Sequence, residues 1–142
     1  MPARTAQAIW KGNLNEGSGS LKVGSGAIDG AYSFISRFEG NNDTNPEELL
    51  GAAHAGCFSM ALAARLSREG HVVHSIDTTA HVHLEKGEAG FAISRIDLVT
   101  KGQVEGITAD QFNEAAAATK EGCIVSRALS AVPMNISAEL LA

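Results

Sequence analysis

Asn45-Pro46-Glu47-Glu48-Leu49-Leu50-Gly51-Ala52-Ala53-His54-Ala55-Gly56-Cys57-Phe58-Ser59-Met60-Ala61-Leu62 is the stretch around which the rest of the chain has to be arranged. Asn45 is a capping residue, Pro46 suits the first helical position, and the carboxylates of Glu47 and Glu48 favour the positive end of a helix dipole. These signals predict a helix from Pro46 to about Glu69, where Gly70 stops it. From Leu49 to Leu62 it is apolar nearly all round, so it is expected to be enclosed by other structure. The uncharged run Leu49 to Ala64 falls short of the ~18–20 residues of a membrane span and holds His54 and Ser59. A buried helix, with no membrane association, is the expectation.

Working outward, the N-terminal side reads as three strands. Ala6–Lys11 and Leu21–Gly24 flank a turn at Gly17-Ser18-Gly19-Ser20, the chain turns again over Gly26–Gly30, and Tyr32–Phe38 alternates as a third strand. Asn41–Asn45 is a polar loop. Beyond Gly70, His74–Leu84 and Phe91–Val99 alternate around the turn Glu85–Gly90, with Thr78, Ala80, Val82 and Leu84 on one face and Thr79, His81 and His83 on a wetter one. Thr108-Ala109-Asp110-Gln111 is a capping box that opens a helix ending at Gly122. Cys123 begins a short second helix to about Ser130, and Met134–Leu140 is a last strand. The result is one α+β domain over residues 1–142, with antiparallel sheets around a long central helix.

Composition removes several functions. The chain has 142 residues, is 44% hydrophobic and 19% charged, and carries a net charge of -5, an ordinary globular balance. No two Lys or Arg are adjacent, so there is no basic footprint for phosphates and no nucleic-acid partner is expected. Met1–Gln7 lacks a charged-then-apolar export pattern, so the reducing cytoplasm is the expected location. There, two cysteines are more often reactive or buried than permanently stapled. No phosphate loop or dinucleotide fingerprint occurs, and no cofactor is expected.

The chemistry therefore turns on Cys57 and Cys123. Cys57 lies inside the apolar helix, where a lone cysteine commonly serves as a small hydrophobe. Cys123 follows a helix-ending glycine and precedes Ile124-Val125-Ser126-Arg127, a position near free backbone N–H groups that stabilise a thiolate. Burial of Cys57 opposes ionisation, so as a nucleophile it needs a cation, and Arg37 is the candidate; otherwise Arg37 is a solvated side chain at a strand end. His54, Cys57 and Cys123 could together offer soft ligands to zinc, though no paired ligand spacing supports this. His81 and His83 share a strand face, more simply read as solvated. Three readings remain open: a peroxidatic and resolving thiol pair, a non-enzymatic redox or small-ligand-binding module with structural cysteines, and a metal-binding protein.

The string Thr44 to Phe58 closely resembles the central motif of the OsmC/Ohr family of thiol-dependent peroxidases. The likeness continues through Trp10-Lys11-Gly12, Arg37-Phe38-Glu39-Gly40, Ser75–Ala80, Gly90-Phe91-Ala92-Ile93 and Gly122-Cys123-Ile124-Val125-Ser126, covers essentially the whole chain, and is closer to the OsmC branch. The resemblance implies an intertwined homodimer that reduces organic hydroperoxides to alcohols. It implies Cys57 as peroxidatic thiolate, Cys123 as resolving thiol, Arg37 with Glu47 as the ion pair that activates Cys57, and a dithiol reductant, a lipoyl group. Ile124 stands where the family often has Pro, which predicts a looser helix start. A dimer also suits the geometry. Glu47 and Cys57 lie ten residues apart on one helix, or about 15 Å along its axis, so one cluster holding both draws on a second subunit. Gly51, Ala52, Ala55 and Gly56 would let a partner helix approach.

Overall fold

The computed structural model describes every residue from Met1 to Ala142. The element order is β1 (Ala6–Lys11), β2 (Ser18–Val23), β3 (Asp29–Tyr32), α1 (Phe34–Phe38), α2 (Pro46–Arg68), β4 (Val72–Gly87), β5 (Gly90–Glu105), α3 (Ala109–Gly122), α4 (Ile124–Ala128) and β6 (Met134–Leu140). It is an α+β fold with two three-stranded sheets, β1-β2-β3 and β4-β5-β6. Contacts divide the chain into Met1–Leu49 and Leu50–Ala142, and the division falls inside α2.

In the first unit the strands form an antiparallel meander. The expected turn at Gly17–Ser20 lies earlier, because Ser18, Gly19 and Ser20 belong to β2. The reason is aromatic packing. Gly19 is paired with Trp10 on one side and Tyr32 on the other, and the two rings close over it with centroids 5.3 Å apart. A Cβ on Gly19 would stand 2.5 Å from Tyr32 Cε1 and 2.7 Å from Trp10 Cε3, so only glycine fits.

The expected strand Tyr32–Phe38 is mostly a helix. Ser33 Oγ accepts from the N–H of Ser36, and Ser36 Oγ accepts from the N–H of Ser33, a reciprocal cap that starts α1 at Phe34. Phe34 and Phe38, which suggested period-two alternation, are also one helical turn apart and stack at 4.9 Å. Spacing alone did not distinguish the two.

In the second unit β4 and β5 make a long antiparallel hairpin, extending beyond both ends expected from sequence. β5 buries Ile96, Leu98, Thr100, Gly102 and Val104 in strict alternation. Thr100 and Gly102 are not apolar, so the sequence pattern alone ends at Val99. Thr100 is accommodated by a hydroxyl chain: Ser59 Oγ donates to Thr78 Oγ1 at 2.8 Å, which is 2.9 Å from Thr100 Oγ1. Gly102 makes room for the buried ring of Phe112 on α3. The second sheet is not wholly antiparallel, because β6 runs parallel to β5, with Leu98 opposite Ile136. That pairing needs a crossover, which α3 and α4 provide.

Helix α2 begins as expected, with Asn45 Oδ1 accepting from the N–H of Glu48. Its 23 residues are long and apolar enough, by length and composition, to cross a membrane, more than its uncharged run alone suggested. It is not enclosed on all sides. Glu47, Gly51, His54, Phe58, Leu62 and Leu66 form a buried stripe at helical spacing, and Phe58, Leu62 and Leu66 share one core cluster with Ile96, Leu98, Phe112 and Cys123. Ala52, Ala53, Gly56, Met60 and Ala64 face outward, with Met60 76% exposed. Gly51 is on the inner side, against Val82 and Ala80, and so is not part of the outward small-residue face.

Gly102→Ala would put its Cβ 2.4 Å from Phe112 Cε1 and Cζ. The substitution is expected to destabilise the fold by about 1–3 kcal/mol. Denaturant unfolding of Gly102→Ala, Phe112→Leu and the double variant should give a double-variant loss smaller than the sum of the single losses. Strict additivity would show that the two residues do not compete for space.

Candidate active site

Both sulfurs meet the first turn of α4. The N–H of Val125 donates to Cys57 Sγ at 3.5 Å, and the next N–H, of Ser126, donates to Cys123 Sγ at 3.4 Å. Cys123 ends α3 and caps α4, so its sulfur plays the part that a serine or aspartate oxygen plays at other helix starts. The cap forms with Ile124, not Pro, at the first helical position. Both cysteines are free thiols. The burial expected of Cys57 falls instead on Cys123: Cys57 is half-buried and Cys123 is buried. Cys57 lies on the margin of the α2 stripe, between buried His54 and Phe58 and outward Gly56 and Met60. Cys123 belongs to the hydrophobic core itself.

A second line of contacts leads away from Cys123. Its S–H donates to Ser126 Oγ at 3.0 Å, and that oxygen lies 2.7 Å from His54 Nε2. Ser126 Oγ can accept from the thiol and donate to His54 Nε2, in the tautomer that carries the ring proton on the other nitrogen, Nδ1. That nitrogen is buried and has no partner, an omission that costs about 1–3 kcal/mol. Burial pushes the His54 pKa below the ordinary histidine value. Sequence reading took His54 only as a potential zinc ligand and passed over Ser126 as a participant. The available signal was the Cys123-x-x-Ser126 spacing, which is that of a helix cap and its third residue.

Arg37 and Glu47 meet within the first unit. Arg37 Nη2 donates to Glu47 Oε1 at 2.8 Å, and Nε donates to both oxygens at 3.1 and 3.3 Å. Arg37 is in the last turn of α1, not on a strand, and Glu47 is in the first turn of α2. Asn45 ties the two elements together by donating from Nδ2 to the Ser36 carbonyl at 3.1 Å. The Arg37 side chain stays 41% exposed while that of Glu47 is nearly covered, so the cation retains an open side. The thiols belong to the second unit.

The wetter face of β4 has another purpose. His83 Nε2 lies 2.9 Å from Asp97 Oδ2, and Asp97 also accepts from Asn135 and Arg95. Hydrogen bonds from Asn135, then Arg95, hold the Asp97 carboxyl down to about 2. These groups lie on β4, β5 and β6 and link all three strands across the surface.

A family model described as OsmC-like protein matches residues 39–137, most of the chain and both thiol-bearing elements. This chain is an OsmC-like protein. It is 47% identical over 129 residues to Peroxiredoxin OsmC of Escherichia coli K12, covering 90% of each chain, and matches Peroxiredoxin OsmC of Shigella flexneri equally. Among solved structures, an organic hydroperoxide resistance protein OsmC from Legionella pneumophila superposes with a TM-score of 0.72 at 22% identity, covering 95% of this chain and 96% of that one. OhrB of Bacillus subtilis gives 0.71 at 24% identity, covering 96% and 98%. A hydroperoxide resistance protein from Elizabethkingia anophelis gives 0.77 at 20%, covering 99% of each chain. At these identities the structural matches establish a shared fold.

The buried, neutral state of His54 carries a stability signature. Its folded pKa is lowered, so below about pH 6.5 the unfolded chain binds a proton that the folded chain refuses, and stability falls with pH. Replacing His54 by Gln removes that linkage. Between about pH 7 and pH 5 the thermal midpoint of the wild type should fall more than that of His54→Gln. Parallel curves would mean that His54 takes up a proton as readily folded as unfolded.

Proposed function

We propose that this OsmC-like protein is a thiol-dependent peroxidase that reduces organic hydroperoxides to alcohols. The observation that carries the reading is the delivery of two free thiols, from elements far apart in sequence, to consecutive N–H groups of one helix turn. Capping of α4 accounts for Cys123 alone and leaves the approach of the Cys57 sulfur to the same turn without a structural need. The names of the related proteins support the same chemistry.

Cys57 is the attacking thiol, because it is the half-exposed one and a peroxide has to reach it. Its thiolate attacks the terminal peroxide oxygen, the O–O bond breaks, an alcohol departs, and Cys57 becomes a sulfenic acid. Cys123 then attacks that sulfur, water leaves, and a disulfide forms, to be reopened by a dithiol such as a lipoyl group. Met60, exposed one helical turn from Cys57 on α2, suits an alkyl peroxide better than hydrogen peroxide, whereas Phe58 is closed in the core. The Arg37–Glu47 pair supplies the cation that favours the Cys57 thiolate.

The protein works as a homodimer. Ala52, Ala53, Gly56, Met60 and Ala64 make an outward apolar face on α2, and a Cβ on Gly56 would meet nothing within 4 Å. Ile9, Ile28 and Ile35 are also exposed in the first unit, whose strands bury no residue. A second copy of this chain covers these surfaces about a two-fold axis. The Arg37–Glu47 pair of one subunit then serves Cys57 of the other.

Intact mass after a small excess of cumene hydroperoxide tests the thiol assignment. The wild type should lose two hydrogens. Cys57→Ser should consume no peroxide, whereas Cys123→Ser should react once and then over-oxidise at Cys57. The reverse pattern would exchange the roles.

Subunit mixing tests the shared site. Neither Cys57→Ser nor Arg37→Ala chains should be fully active alone, and exchange between them should restore part of the activity, since each mixed dimer contains one intact site. A monomer by light scattering at micromolar concentration would end the dimer reading.

A further inference from the structure

Cys123 has to lose a proton to act as a resolving thiolate, yet it is only 3% exposed. The acceptor of its S–H is Ser126 Oγ, itself on a residue 3% exposed, and the next group along is His54, which is wholly buried. His54 and Ser126 are 72 positions apart, so this line is made by tertiary packing and not by helix spacing. Disulfide closure as outlined above uses only the two cysteines and gives His54 no part. A histidine fully enclosed, with one nitrogen bonded to a serine and the other unpartnered, is unfavourable as plain packing.

We propose that Ser126 and His54 form a proton relay for the resolving thiol, with Ser126 in contact with the reacting sulfur and His54 a positioning residue that acts through it. The inference rests on the peroxidase reading. As Cys123 Sγ attacks the sulfenic sulfur of Cys57, its proton passes to Ser126 Oγ while the Ser126 proton passes to His54 Nε2. The S–S bond forms and the S–O bond of the sulfenic acid breaks. The departing hydroxide takes a proton from solvent and becomes water. The imidazolium then returns its extra proton through Ser126 to the open cavity of about 530 Å³ that Ser126 helps to line. Cys123 is oxidised and the Cys57 sulfur reduced, so no further reactant is needed.

Two properties of the site fit this role. Burial keeps the His54 ring neutral at neutral pH, so a lone pair is available to accept. The same burial makes the imidazolium short-lived, so the proton is released and the relay resets. Once Cys123 is a thiolate, Ser126 can turn its hydroxyl to donate to the sulfur, and the Ser126 N–H already does so.

Rapid mixing of reduced protein with one equivalent of cumene hydroperoxide, followed by thiol trapping and intact mass at each time, separates oxidation of Cys57 from disulfide closure. Ser126→Ala and His54→Gln should each slow closure by about 10²-fold, with sulfinic acid accumulating, while the first oxidation stays close to the wild-type rate. Gln can still accept the Ser126 hydrogen bond but cannot take the proton. Ser126→Thr keeps the hydroxyl in a larger side chain and should recover most of the closure rate. Faster closure in Ser126→Ala than in Ser126→Thr would reveal a packing role and overturn the relay. Wild-type closure in His54→Gln would overturn it too, even with Ser126→Ala slow, because the proton would then leave through the cavity. Should His54→Gln fail to fold, the two Ser126 variants decide the matter. Failure of the wild type to close any disulfide would instead defeat the peroxidase reading itself.

Discussion

The contact between one stripe of α2 and the inward face of β5 is the constraint on which the second unit depends. Phe58, Leu62 and Leu66 meet Ile96, Leu98 and Phe112 in a single cluster, and all six are essentially closed to solvent. Large-to-small changes at such positions cost about 2–5 kcal/mol each, a large share of the stability of a domain this size. The stripe also sets the rotation of α2 about its axis. With Phe58 and Leu62 inward, His54 must point into the core and Cys57 must lie at its margin. The chemistry inherits its geometry from hydrophobic packing.

Much of this was legible in the sequence where local chemistry and tertiary demand agree. Asn45-Pro46 marks the start of α2, Thr108 and Gln111 the start of α3, and Met134–Leu140 alternates as the strand it becomes. Reading failed where one residue answers to a distant partner. Gly19 looked like a turn because the rings of Trp10 and Tyr32 that require it come from other strands. Thr100 and Gly102 hid the second half of β5 because their reasons, Thr78 and Phe112, lie on β4 and α3. Phe34 and Phe38 fit strand and helix spacing alike, and a pair of serine caps decided for the helix.

The candidate site divides the same way. The two cysteines stood out as residue types in special settings, and the Arg37–Glu47 pair followed from likeness to a family. Relative burial of the thiols did not follow, since a helix that is apolar all round gives no phase from which to tell inner from outer faces. Ser126 and His54 were similarly hard to see. Each is ordinary alone, and only the fold brings the hydroxyl within 2.7 Å of the ring.

The parallel pairing of β6 with β5 has a kinetic consequence. The α3–α4 crossover that carries Cys123 leads into β6 beside β5, and the contact from Cys57 to the Val125 amide closes a loop of 68 residues. Contacts of such long range form late in folding, because their entropy loss precedes any reward. A partly folded chain therefore carries two unrelated thiols, each protected or attacked on its own. On the proposed peroxidase reading, the power to close a disulfide is a clock for folding: the rate at which refolding chains gain it follows the formation of this long-range contact between α2 and α4.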